Sequence, residues 1–121
     1  KLILIGTPNQ GISASTQQYC PVFGSATECS DMSENSLFIN KLENAGAPKV
    51  NVFNIIGVGC DMSGLDGDGI VEKSSASLSF AKNYEVSGSC NFAEFNMLHN
   101  ALLDINQYPE VYNLINSSLH D

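Results

Sequence analysis

The chain opens on a run that is apolar at successive positions, Leu2-Ile-Leu-Ile5, and is stopped by Gly6 and Thr7-Pro8. A strand apolar on both faces belongs in a parallel sheet that is covered on both sides. Positions 50–57 are again mostly apolar and predict a second strand, and 82–86 predict a third, weaker strand. Between the first two strands, 9–30 is rich in Ser, Gln, Thr and Gly, is broken by Pro21 and Gly24, and has no sustained period. A helix is predicted next, capped by Asp31 or Ser33, with Glu34 three residues after Asp31 as in a capping box. Leu37, Phe38 and Leu42 form its predicted apolar face, and Gly46 and Pro48 end it. Further on, 57–69 reads as a Gly/Asp loop, 70–78 as holding a short helix, 87–96 as a loop and 98–105 as helical. Pro109 opens a last helix whose expected core face is Val111, Tyr112, Leu114, Ile115 and Leu119.

Strands alternating with helices predict an α/β fold with a parallel sheet, in one domain of 121 residues. Three strands are few for such a sheet, and the first would be an open apolar edge. The chain also begins inside that strand, with no initiating Met. Further strands are therefore expected upstream of Lys1. No apolar run is long enough to span a bilayer, so no transmembrane segment is predicted.

Thirteen acidic residues stand against five lysines and no arginine, a net charge of -8. Nucleic acid is excluded as a partner, because phosphate contacts need clustered basic side chains. Four cysteines, Cys20, Cys29, Cys60 and Cys90, are widely spaced with no CxxC pair, which argues against zinc ribbons and thioredoxin-like motifs. Two readings stand: four free thiols, or two disulfides in an extracellular or cell-surface protein. In the second, Cys20–Cys29 closes a local loop and Cys60–Cys90 joins two loops that each follow a strand.

Functional residues of open parallel sheets gather in loops after the carboxyl ends of strands. Three loops qualify: Gly6-Thr-Pro-Asn-Gln-Gly11, Gly64-Leu-Asp-Gly-Asp-Gly-Ile-Val71, and 88–99. Here the chain resembles the α/β-hydrolase lipases and esterases, above all small secreted bacterial lipases and proteins like GPI inositol-deacylases and palmitoyl-thioesterases. Leu2-Ile-Leu-Ile-Gly-Thr-Pro-Asn-Gln-Gly11 is similar to the sixth strand of that family's sheet and the turn after it. Asp68-Gly-Ile-Val71 is similar to its Asp-x-x-Val motif, which implies that Asp68 is the triad acid. Met97-Leu-His-Asn-Ala-Leu-Leu103, before Pro109-Glu-Val-Tyr112, resembles the segment of the triad histidine, which implies that role for His99. The likeness covers nearly the whole chain outside 12–30.

That resemblance implies the C-terminal portion of a serine carboxylic-ester hydrolase acting on an ester or lipid, with no cofactor. A serine hydroxyl needs a histidine to take its proton, and the histidine needs a carboxylate to fix its tautomer. The family's chain order is Ser, then acid, then His, so the serine is expected upstream of Lys1 in a Gly-x-Ser-x-Gly elbow. Neither Ser63 nor Ser89 sits in that pattern, so the chain alone is not expected to hydrolyse esters. The competing class is a non-catalytic binding or scaffold domain, because fold does not dictate function.

Each residue has a blander alternative. His99 can be a histidine that merely starts a helix, and His120 reads as a surface residue. Asp66, two positions before Asp68, rivals it as the acid, and both can be turn formers beside glycine. Asp61 and Glu72 are spaced like the first and last ligands of an EF-hand calcium loop, yet Leu65 and Asp66 replace its fifth-position Asp or Asn and its Gly. Thr7, Pro8 and Asn9 either line a substrate pocket or turn the chain. The 12–30 segment, with Tyr19, Val22 and Phe23, is a lid or an ordinary insertion.

Overall fold

The computed structural model describes residues 1–22 and 24–121 and is mixed α/β. Strand β1 (Leu2–Ile5) leads into helix α1 (Ala14–Gln17), a 3₁₀ turn at Cys20–Val22, α2 (Ala26–Met32) and α3 (Leu37–Asn44). Then come β2 (Val52–Val58), a hairpin of β3 (Cys60–Met62) and β4 (Leu65–Gly67), α4 (Lys73–Ala76) and β5 (Lys82–Ser87). A 3₁₀ turn at Phe92–Glu94, α5 (Leu98–Ala101) and α6 (Pro109–His120) complete it. Phe23, grouped with the lid residues by sequence, lies outside the described residues.

The sheet has the order β1-β2-β5, and all pairing in it is parallel, as the doubly apolar strands predict. Strand β2 lies in the middle, and all seven of its residues are buried. Its two faces feed different cores. Ile55 packs with Val86, Leu98, Leu102 and Val111 under α5 and α6, while Ile56 and Val58 pack with Val71 and Ala76 beside α4. Asn54, fully buried, donates through Nδ2 to Ala76 O and Asn83 Oδ1, tying β2 to α4 and β5. Strand β1 pairs on one side only among the described residues. Among the described residues no helix is long and apolar enough to cross a membrane.

Several local expectations need correction. The 9–30 stretch is not simply irregular: it carries α2, started by a reciprocal capping box in which Ser25 Oγ accepts from Glu28 N and Glu28 Oε2 accepts from Ser25 N. Asp31 therefore lies inside α2, and α3 is capped by Ser36, whose Oγ accepts from Ile39 N at 3.1 Å. The face of α3 expected to be buried is the exposed one: Leu37 is 83 % exposed and Phe38 and Leu42 are each about half exposed, while Ile39 is buried. On α6, Val111 is buried and Leu114 and Ile115 pack on the core, but Tyr112 and Leu119 face outward. The 57–69 loop contains the β3–β4 hairpin, and α5 spans only Leu98–Ala101.

All four cysteines are paired, Cys20 with Cys29 and Cys60 with Cys90. Of the two readings open from sequence, the disulfides are the one found.

Candidate active site

The loop after β4 makes a tight carboxylate-centred turn. Asp68 Oδ1 accepts from Ile70 N at 3.0 Å and from Val71 N at 2.7 Å, and Asp68 N donates to Val71 O at 3.1 Å. Short polar side chains favour such turns because they satisfy backbone donors two and three residues on. The second oxygen is left free to face elsewhere. Asp68 Oδ2 lies 2.7 Å from Nδ1 of His99, in the first turn of α5, and Asp68 is 1 % exposed. His99 N also donates to Asp68 O at 2.9 Å, so backbone and side chain bind the same partner. A carboxylate only accepts, so Nδ1 carries the proton and Nε2 is the basic nitrogen. Among the described residues no side chain hydrogen-bonds Nε2.

Two glycines make room for this pair. Gly6, at the end of β1 with φ +55°, would bring a Cβ to 3.1 Å from both Asp68 Oδ2 and His99 Nδ1. A Cβ on Gly57, in β2, would lie 2.6 Å from Asp68 Cβ. The carboxyl ends of β1 and β2 thus back directly onto the Asp68–His99 pair.

His99 opens onto an apolar cleft of about 310 Å³, lined also by Pro8, Ile12, Tyr19, Phe95 and Met97. A second cleft of about 350 Å³ shares Thr16, Tyr19, Phe95 and Met97 with it and runs on toward Phe92 and Ser63. Phe95 stands at this divide with φ +53° and a mostly exposed side chain. Its turn is closed by two backbone bonds between Asn91 and Asn96, at 2.8 and 2.9 Å.

No family model matches the chain, and neither a curated protein nor a solved structure matches it significantly.

The remaining candidate residues take other places. Asp66 is exposed, and its Oδ1 accepts from Gly59 N at 2.7 Å; Asp61 Oδ1 accepts from Gly64 N at 2.7 Å. Glu72 accepts from Ser13 Oγ. The three carboxylates raised as calcium ligands or a rival acid thus each hold a separate backbone or hydroxyl donor. Pro8 lines the first cleft, whereas Asn9 turns its Nδ2 to Ala76 O at 2.7 Å, and Thr7 O accepts from Asn9 N. His120 is exposed, with Nδ1 2.7 Å from Asn116 O. The 12–30 segment supplies Ile12, Thr16, Tyr19 and Cys20 to the cleft wall, while Val22 is exposed. Phe95 and Met97 were missed by sequence reasoning. Their proximity to His99 in the chain was the available signal.

Proposed function

We propose that this chain supplies the acid and base of a Ser-Asp-His triad in an α/β-hydrolase-type carboxylic-ester hydrolase. The observation that carries the reading is the Asp68–His99 pair at 2.7 Å, with Nε2 unengaged beside an apolar cleft. His99 would take the proton of a serine hydroxyl and return it to the leaving alkoxide. Asp68 would hold the ring with Nε2 outward and offset the imidazolium charge. The nucleophile and oxyanion donors would come from upstream chain whose strand pairs with the open side of β1. An apolar cleft suits an acyl chain or an ester of low polarity, as in lipase-like hydrolases. The two disulfides favour an extracellular or cell-surface setting.

The test is labelling of the complete open reading frame with a fluorophosphonate probe. One serine upstream of Lys1 should be labelled, and His99→Ala should abolish the labelling. Labelling that survives His99→Ala overturns the triad assignment. No labelling, together with retained binding of a fatty acid, favours the non-catalytic binding domain.

A further inference from the structure

The Cys60–Cys90 bridge sits beside the candidate dyad, and its sulfur makes contacts that an ordinary staple does not need. Cys90 Sγ accepts from Leu98 N at 3.3 Å, one residue before His99 and at the start of α5. The same sulfur lies 3.3 Å from the carbonyl oxygen of Asp68, which in turn accepts from His99 N. Gly69, next to Asp68, has φ +94°, and a Cβ there would lie 2.7 Å from Cys90 Sγ. The sulfur therefore fills a notch between the two loops that carry Asp68 and His99.

The start of α5 has few hydrogen-bonding partners of its own. Helix α5 is four residues long, and its N-cap Met97 makes no side-chain cap bond. Its first backbone donors need other acceptors, and Leu98 N and His99 N find them on Cys90 and Asp68. Cys60, by contrast, is 3 % exposed and built into β3 and the core with Ile55 and Leu98. The bridge carries the position of that core out to the sulfur at the start of α5.

We propose that Cys90, anchored through its disulfide to Cys60, is a positioning residue for His99: it fixes the start of α5 so that Nδ1 meets Asp68 Oδ2. The proposal rests on the dyad reading of Asp68 and His99. A bridge that merely lowered the entropy of the unfolded chain would stabilise the whole protein and leave dyad geometry untouched once folded. Buried Ile39 on α3, outside the cleft, provides a site for that comparison.

The experiment uses the low-field proton resonance of the imidazole Nδ1–H, which arises when that proton is held by a carboxylate. It is recorded on the 121-residue chain, on Cys60→Val/Cys90→Ala, which refills the buried Cys60 site, and on Cys60→Ser, which cuts the link but keeps the Cys90 sulfur. Ile39→Ala, a destabilising change on α3 outside the cleft, serves as control, and amide-resonance dispersion reports folding in each. The expected result is a signal in the parent and the control that is lost from the folded Cys60 variants. A parent-like signal in either folded Cys60 variant overturns the proposal, as does failure of both to fold, which makes the bridge a general staple. Absence of the signal from the parent itself refutes the dyad reading instead.

Discussion

Gly57 and Asp68 share one small space: the hydrogen at Gly57 Cα stands where a methyl would press to 2.6 Å against Asp68 Cβ. The same methyl would also reach 3.2 Å from Leu102 Cδ1. Gly57→Ala should therefore overpack a filled site and destabilise the fold by about 1–3 kcal/mol. Chemical denaturation will give the shift, and the Nδ1 proton resonance of His99 should move with it. An unchanged midpoint refutes the close packing.

Asp68→Asn separates the shape of the dyad from its charge. The amide oxygen can still accept from Ile70 N and Val71 N, which places the amide NH₂ against Nδ1. The ring should then carry its proton on Nε2, the tautomer unable to take a proton from a nucleophile. In Ser-His-Asp hydrolases this exchange costs about four orders of magnitude in kcat, and the complete protein should show a loss of that order. Imidazole ¹⁵N shifts of the variant will report the tautomer directly.

Leu98 is fully buried between β2, β5 and α6, immediately before His99. Leu98→Ala should cost about 2–5 kcal/mol. Because α5 is one turn long, the lost anchor should also raise amide exchange at His99 more than at Val111, whose helix is twelve residues long.

Phe95→Gly should stabilise the chain while weakening the cleft. A non-glycine residue in the left-handed region costs on the order of 1 kcal/mol, and the exposed ring of Phe95 recovers little of it by burial. Thermal melting should rise by a few degrees for roughly 1 kcal/mol in a domain of this size. Binding of a fluorescent fatty acid, followed by titration, should weaken. Unchanged binding would show that the ring forms no part of the apolar site.

Acid should loosen the α5–α6 connection before the core. Gln107 Nε2 and the backbone N–H of Asn106 both donate to Asp104, holding its carboxyl below the usual aspartate range. A carboxyl depressed on folding contributes stability that is complete above its unfolded pKa and is lost as pH falls through the folded value. Asn106 and Gln107 amide protection should thus decline below roughly pH 4, and Asp104→Asn should flatten that decline.

The central strands were legible because burial on both faces leaves a mostly apolar run in the sequence, as Val52–Val58 does around Asn54. Asp68 and His99 were legible through motifs that resemble those of a hydrolase family, and the structure brings them to 2.7 Å. Their supports were not. Gly6 and Gly57 look like any strand glycines until the chain is folded, and Cys90 is 22 residues from the Asp68 it touches. Helical period alone does not fix which side of α3 is buried. Leu37, Phe38 and Leu42 were read as the inward face of α3, but Leu37 is largely exposed and Phe38 and Leu42 are about half exposed. Period identifies a face without saying what lies opposite it.

The unpaired side of β1 has a consequence for handling the protein. A strand carried on the same polypeptide would reach it at a fixed local concentration, independent of dilution. A second molecule would reach it only in proportion to the amount in solution, and an open apolar edge accepts either. Under the proposed function the state of the edge is a competition between the upstream strand and a second molecule, which a dilution series can separate by sedimentation. On that reading the occupying strand would lie alongside Ile5, one residue from Gly6 and the Asp68–His99 pair.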